Sequence, residues 1–115
     1  MRFRQLIGLT VVTGLGGCAM LGNDQTALYG AMNDQDVQLA ATTMQATLEA
    51  APDGVTRRWQ NETTGHNGAI TPTRTYQSAG GYYCRDYVEE ITMKDQQARF
   101  EHTACRVDDE RWAWI

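Results

Sequence analysis

The chain has 115 residues, of which 42% are apolar, and a formal net charge of −4 at neutral pH. This length corresponds to a single small domain. Acidic residues outnumber basic ones by 14 to 10, so the composition does not support a surface that binds nucleic-acid phosphates.

The N-terminal segment has the layout of a secretory signal peptide. Arg2 and Arg4 supply a positive start, and residues 6–15 form an uncharged, mainly apolar run that leads through two glycines to Cys18. This run is much shorter than the ~20 residues that a membrane-spanning helix requires. The sequence therefore predicts a removable signal peptide over residues 1–17 and no permanent transmembrane anchor.

The four residues that end at Cys18, Leu-Gly-Gly-Cys, resemble a bacterial lipobox. The resemblance implies that the Cys18 sulfur takes a diacylglyceryl group, that the chain is cut before Cys18, and that the new amine is acylated, with palmitate as an expected acyl chain. Several acyl chains, at ~0.8 kcal/mol per buried CH₂, would give a stable anchor. Because Ala19 rather than Asp follows the cysteine, the resemblance to lipoprotein sorting signals implies the outer membrane. The alternative is an ordinary signal peptide with an incidental cysteine.

Residues 18–31 lack a hydrophobic period and are interpreted as a lipidated tether, which leaves residues 32–115 as the folded domain. A helix is predicted after Asn33, a good N-cap, with Met32 and Val37 at the spacing of a hydrophobic staple. The helix is predicted to end at Pro52-Asp53-Gly54. One face carries apolar residues at helical spacing: Val37, Ala40, Ala41, Met44, Leu48 and Ala51. We interpret this face as core-facing; the alternative is a surface for a partner helix.

After Gly54 the pattern changes to short extended runs separated by turn residues. The predicted strands are Val55–Gln60, Ala69–Gln77, Tyr82–Met93, Gln97–Val107 and Arg111–Ile115. Pro72 cannot donate to a ladder, so the second strand should lie at an edge or contain a bulge there. Short connectors predict an antiparallel meander. The fold class is therefore α+β, with one N-terminal helix covering one face of a sheet of four to five strands.

Two of the three cysteines, Cys84 and Cys105, remain as an even pair if Cys18 is lipidated. If Lys94-Asp95 forms a two-residue hairpin turn, antiparallel pairing places Cys84 directly opposite Cys105, within disulfide reach. In an oxidising compartment this predicts a Cys84–Cys105 disulfide. The alternative is two free buried thiols. Two cysteines alone do not supply a zinc site.

From about Leu48 onward the chain carries a set of spaced motifs. They are Trp59-Gln60-Asn61 with Gly65 and Gly68, Thr71-Pro72-Thr73-Arg74-Thr75-Tyr76, Gly81-Tyr82-Tyr83-Cys84-Arg85-Asp86-Tyr87, Thr103-Ala104-Cys105-Arg106, Asp109 and Trp112. With these motifs the chain resembles the bacterial seventeen-kilodalton surface antigen family of outer-membrane lipoproteins. The resemblance implies surface exposure or envelope association, and no known activity. Members commonly carry a glycine-zipper stretch, whereas residues 19–50 contain only Gly22 and Gly30.

The chain offers few residues for catalysis. Ser78 is the only serine and lacks a nucleophile-elbow pattern, and no metalloprotease, redox or phosphate-binding motif is present. His66 lies in a turn where we expect it to be solvated, and His102 lies on a strand where we expect a structural histidine. The sequence therefore predicts a protein that is not an enzyme and has no cofactor or metal.

Arginines and aromatic residues recur on the last strands. Tyr83, Arg85 and Tyr87 share one strand face, and Arg106 projects from the same face of the next strand. Trp112 and Trp114 share a face of the last strand, but the final turn decides which face they join. The candidate binding patch is Arg85, Arg106, Trp112 and Trp114. It has two interpretations: internal stacking that completes the core, or an exposed groove that recognises an anionic or glycan ligand of the envelope.

These features predict an outer-membrane-anchored lipoprotein whose disulfide-linked domain is a structural or interaction module of the cell envelope. The expected partners are the outer membrane, through the N-terminal acyl chains, and an envelope protein or glycan, but not nucleic acid. The alternative is a periplasmic or surface ligand-binding or inhibitor module, similar in role to small lipoprotein inhibitors of lysozyme. Such a module needs a protruding loop, for which Asn61–Gly68 is the candidate.

Overall fold

A computed structural model of the chain describes residues 29–115. The predicted signal peptide, the predicted lipidation site Cys18 and most of the tether lie outside the described residues. Within residues 29–115, no helix combines the length and the apolar character needed to cross a membrane.

Helix α1 spans Asp34–Ala50 and begins with a complete capping box. The Asn33 side chain accepts a hydrogen bond from the backbone N–H of Asp36 at 2.7 Å, and the Asp36 carboxylate accepts one from the backbone N–H of Asn33 at 3.1 Å. Ala51 is extended, as the residue before a proline prefers to be. Both predicted ends of the helix are therefore confirmed.

The buried face of α1 is only partly the predicted one. Ala40, Leu48 and Ala51 are buried as predicted. Val37, in contrast, is 51% exposed, and its neighbour Asp36 is completely buried. The helix is rotated this way because the Asp36 carboxylate receives hydrogen bonds from a loop of the sheet, described below.

Five strands follow the helix and form one antiparallel sheet in sequential order, which confirms the predicted α+β meander. The strands are β1 (Arg57–Gln60), β2 (Asn67–Gln77), β3 (Tyr83–Met93), β4 (Gln96–Asp108) and β5 (Arg111–Trp114). β2 lies inside the sheet, and its register shifts between Pro72 and Arg74. The predicted irregularity at Pro72 is thus a bulge rather than an edge.

The β3–β4 hairpin has the predicted register. Met93 pairs with Gln96 across the two-residue turn, and Cys84 pairs with Cys105. The two cysteines form a disulfide with a Cα–Cα distance of 3.9 Å. Closing a loop of this length contributes about 3 kcal/mol to stability in the chain-entropy model. The disulfide is important for stability because a small hydrophobic core alone contributes little.

The sheet curls around α1, which contacts β1 and β2 on one side and β5 on the other. The central cluster comprises Leu48, Ile70, Tyr87, Ala104 and Trp112, none of which is more than 5% exposed. The curl therefore creates a concave face of the sheet that α1 covers.

Candidate binding site

β5 places both C-terminal tryptophans on the concave face of the sheet. Trp112 lies opposite Arg106, Trp114 lies opposite Ala104, and Ala104 in turn lies opposite Arg85. Directly opposite residues share a face of the sheet. The four residues of the predicted patch therefore do share one face, and it is the face on which α1 packs.

Arg85 is an internal residue that is 6% exposed. Its guanidinium donates to the carbonyl oxygen of Leu48 in the last turn of α1, to Asp53 Oδ1 and to Thr75 Oγ1, each at 2.8 Å. The hydrogen bonds from Arg85 and Thr75 hold the pKa of Asp53 below its usual value. Arg85 thus joins the C-terminal end of the helix to the sheet.

Arg106 is also paired within the domain. It donates to both carboxylate oxygens of Glu49, at 3.2 and 2.9 Å, and the indole N–H of Trp112 donates to Glu49 Oε1 at 3.0 Å. The hydrogen bonds from Arg106 and Trp112 lower the pKa of Glu49. About one third of each side chain of the Arg106–Glu49 pair remains exposed (35% and 32%).

These contacts correct the interpretation of the patch as an exposed arginine–tryptophan groove. Trp112 is 5% exposed and Arg85 is 6% exposed, because both pack against the C-terminal end of α1. A shallow cleft of about 400 Å³ does include Arg85, Arg106 and Trp112. Each arginine already faces a carboxylate of the domain, so the cleft offers little attraction for an anion.

Trp114 differs from the rest of the patch because it is 56% exposed and yet firmly held. Its indole ring stacks on the His102 ring at a centroid distance of 4.6 Å and an interplanar angle of 16°. Its indole N–H donates to the hydroxyl of Tyr87. Burial raises the pKa of Tyr87 to about 12, so this hydroxyl stays protonated at neutral pH.

The His102 ring, on which Trp114 stacks, is itself held by neighbouring side chains. One of its ring nitrogens lies 2.9 Å from Glu89 Oε1, and its other neighbours include the stacked ring of Phe100 at 5.9 Å. The side chains of His102 and Glu89 are 16% and 7% exposed. His102 is therefore largely withdrawn from solvent and paired with a buried carboxylate.

A cleft of about 890 Å³ borders Trp114 at the end of β5. The polar and aromatic residues that line it include Tyr76, Asp86, Arg99, Glu101, Thr103 and Trp114. Asp86 accepts hydrogen bonds from Thr103 at 2.7 Å and from Arg74 at 3.0 Å, and Arg99 donates to Glu101 at 3.1 Å. Because Asp86, Glu101 and Thr103 alternate along β3 and β4 with Tyr87 and His102, they project from the face of the sheet opposite to the one that carries the Trp114 indole.

The loop between β1 and β2, predicted as a protruding element, is folded against the N-terminal end of α1. Asp36 Oδ1 accepts from Asn61 Nδ2 at 2.7 Å and from Thr64 Oγ1 at 3.1 Å, while Oδ2 lies 2.7 Å from His66 Nδ1. His66 has a side chain that is only 13% exposed, so the prediction of a solvated histidine is wrong. Its ring is withdrawn from solvent because it neighbours a buried carboxylate.

Asp36 is ionised in the folded protein. Burial on its own would raise its pKa, but hydrogen bonds from His66, Asn61, the Asn33 backbone and Thr64 outweigh burial and lower it. The sequence did not predict this contact between the helix and the β1–β2 loop. Its only local signal was an acidic residue three positions after the N-cap Asn33, which indicates a capping box and not a long-range contact.

Within residues 29–115, no three His, Cys, Asp or Glu side chains are grouped so that they could hold a metal ion. The hydroxyl of Ser78 accepts a hydrogen bond from the backbone N–H of Tyr82 at 3.2 Å, as in an ordinary turn.

Fold and site together define a small, disulfide-linked α+β domain with one exposed but immobilised tryptophan on its sheet. Residues 46–113 match the family model described as 17 kDa outer membrane surface antigen, and the chain belongs to this family. The 17 kDa surface antigen of Rickettsia bellii is 40% identical over 81 residues, which cover 70% of this chain and 51% of that protein. The Rickettsia felis protein is 38% identical over 81 residues, which cover 70% of this chain and 51% of that protein. The Rickettsia prowazekii protein is 37% identical over 80 residues, which cover 70% of this chain and 50% of that protein.

The chain thus spans about half the length of these curated relatives. No solved structure shows significant similarity to it.

Proposed function

We propose that this protein is a lipoprotein of the bacterial outer membrane whose disulfide-linked domain serves as an interaction module of the cell envelope. The observation that carries the proposal is the match of residues 46–113 to a family described as outer membrane surface antigens. The Leu-Gly-Gly-Cys segment that ends at Cys18 supplies a chemically plausible anchor for such a location.

The architecture of the domain supports binding rather than catalysis. A disulfide and a buried polar network fix a small core, while the immobilised indole of Trp114 remains 56% exposed. Rigid aromatic side chains of this kind are typical of binding surfaces, because little conformational entropy is lost when they contact a partner.

The alternative role as an inhibitor that plugs an active site receives less support. Three polar side chains of the candidate loop, those of Asn61, Thr64 and His66, are directed to Asp36. Glu62 and Thr63 remain exposed at the tip, but the loop is drawn onto the helix rather than projected from the domain.

The anchor is tested by metabolic labelling of the full chain with radioactive palmitate in a Gram-negative host. We expect label in the wild-type protein and none in Cys18→Ser, because the thioether and the acylated amine both belong to Cys18. The Cys84→Ala/Cys105→Ala variant is the control, since it loses both other cysteines and should still be labelled. Equal labelling of wild type and Cys18→Ser would exclude lipidation at this residue.

A further inference from the structure

We propose that the outer edge of β1 is a docking strand for an extended acidic segment of an envelope protein, which adds to the sheet beside β1. This inference rests on the proposed function and names a surface of the interaction module and the chemistry of its partner. The surface is distinct from the cleft at the end of β5. Two features of the described residues carry the proposal: the open backbone of β1 and two arginines on that strand.

β1 is an edge strand whose outward backbone groups face solvent, because the strands follow one another in sequential order. The backbone N–H of Asn61 donates to the carbonyl oxygen of His66 at 2.8 Å. In an antiparallel ladder the direction of these groups alternates, so the N–H and C=O of Arg58 and Gln60 point away from β2. Both residues are exposed. They therefore present main-chain donors and acceptors that an added strand can pair with.

The opposite edge strand, β5, is closed by a side chain of the helix. The Gln45 amide donates to the carbonyl oxygen of Trp112 at 2.7 Å and accepts from the backbone N–H of Trp112 at 2.8 Å. Gln45 thus takes the place that a neighbouring strand would occupy at this residue. No such hydrogen bond reaches the outward groups of Arg58 or Gln60 from another residue within 29–115. The two edges therefore differ, and β1 is the open one.

Two consecutive arginines on β1, Arg57 and Arg58, differ from the other arginines of the described domain. Each of the others forms an ion pair with a carboxylate at 2.8–3.1 Å: Arg74, Arg85, Arg99, Arg106 and Arg111. Arg57 and Arg58 are exposed, and no ion pair joins them to another described residue. Because successive strand residues point to opposite faces, each face of the sheet carries one uncompensated cation at this edge.

These charges select the kind of strand that the edge accepts. A second copy of β1 would bring the arginines of the two copies close together, and like charges across a strand pair are destabilising. A segment with two consecutive acidic residues opposite Arg57 and Arg58 places one carboxylate beside each guanidinium, one on either face. Main-chain hydrogen bonds then supply affinity for an extended segment, and the two charge pairs supply the preference for an acidic one.

The test is a titration of the purified full chain, held in an uncharged detergent, with three synthetic peptides of about eight residues, which is an ordinary strand length. The peptides alternate threonine and valine and differ only at the two central positions, which are both glutamate, both glutamine or both lysine. Calorimetry measures binding. We expect saturable binding of the glutamate peptide, binding of the glutamine peptide about tenfold weaker, and no binding of the lysine peptide.

Hydrogen exchange of the backbone amides locates the bound peptide. In the free chain the N–H groups of Arg58 and Gln60 should exchange rapidly, because they point away from β2. The glutamate peptide should slow the exchange of both by about tenfold or more, whereas the amides of the opposite edge strand β5 should keep their rates.

Variants separate the charges from the main chain. Arg57→Gln/Arg58→Gln should weaken binding of the glutamate peptide by about tenfold and leave binding of the glutamine peptide unchanged. Arg111→Gln is the matched control, because Arg111 lies on the other edge strand with a side chain that is 63% exposed. Gln60→Pro keeps both arginines but removes one outward N–H, so it should weaken binding of the glutamate peptide. Circular dichroism and thermal unfolding confirm that each variant is folded.

Four outcomes would each overturn the proposal: slow exchange of the Arg58 and Gln60 amides in the free chain, no binding of the glutamate peptide, equal affinity of wild type and the double arginine variant for that peptide, or preference for the lysine peptide. Binding that leaves both amides unprotected would also overturn it, because it would show contact with an anion and not the addition of a strand. Palmitate labelling at Cys18 tests the anchor separately, so the docking strand and the envelope anchor fail independently.

Discussion

Replacing Asp36 by alanine is expected to lower the free energy of unfolding by about 3 kcal/mol or more, a large part of the stability of a domain this small. The carboxylate is completely buried and accepts hydrogen bonds from Asn61, Thr64 and the backbone of Asn33 while it contacts His66 at 2.7 Å. Alanine would leave these groups buried without their acceptor. Urea unfolding of the oxidised full chain measures the loss as a lower midpoint at unchanged slope.

Asp36→Asn provides the matched variant, because it keeps the shape and removes the charge. One amide oxygen would still accept, but the amide NH₂ would face donors, so we expect an intermediate loss of about 2 kcal/mol. Val37→Ala, at the neighbouring exposed position, should change stability by less than about 0.5 kcal/mol. Similar midpoints for Asp36→Ala and Val37→Ala would contradict a stabilising role of the network.

The hydrogen bonds around Asp36 also predict how the stability of the domain depends on pH. The pKa of Asp36 is lower in the folded state than its ordinary value, so its ionised form contributes stability that is fully present above the unfolded pKa of about 4. This contribution is lost as the pH falls through the lower, folded-state pKa. The wild type should therefore lose more stability between pH 5 and acidic pH than Asp36→Asn, whose residue 36 does not titrate.

The second large loss of stability is expected when Arg85 is replaced. Arg85→Met keeps the aliphatic packing but removes the donors to Leu48, Asp53 and Thr75, and we expect a loss of about 2–3 kcal/mol in the free energy of unfolding. Asp53 is 43% exposed and can be rehydrated, which keeps the loss below that of a fully buried pair. Urea unfolding again provides the measurement.

Arg106→Met is the matched control for Arg85→Met, since it removes an arginine of the same sheet face whose ion pair with Glu49 is about one third exposed. Solvent screens such a pair, so we expect the loss to be clearly smaller than that of Arg85→Met. Equal losses for the two variants would show that Arg85 does not hold the helix in the way its contacts indicate.

Local patterns were sufficient to predict most of the fold. The capping residue Asn33 and the stop at Pro52 define α1, and the two-residue turn at Lys94-Asp95 fixes the register that brings Cys84 to Cys105. Each of these features depends on residues close together in the sequence or on simple strand alternation. The family motifs also lie on the sheet, and residues 46–113 confirm the family.

The candidate site depended on contacts that sequence patterns do not encode. Whether Trp112 and Trp114 face α1 is decided by the last turn and by the bulge between Arg106 and Asp108, where one residue changes the face. Burial of Asp36 in place of Val37 required a loop about 30 residues away in the sequence to supply Asn61, Thr64 and His66. Tertiary hydrogen bonds therefore overrode the apolar pattern of the helix.

The most direct test of the proposed interaction module is photo-crosslinking in intact cells with a benzophenone amino acid at two exposed positions of the full chain. Glu101 lines the cleft at the end of β5 and has a side chain that is 76% exposed, whereas Gln38 is exposed on α1 and does not line the cleft. We predict a discrete envelope adduct from position 101 and no such adduct from position 38. Equal adducts from both positions, or no adduct from position 101, would contradict the assignment of this domain as an envelope interaction module acting through that cleft.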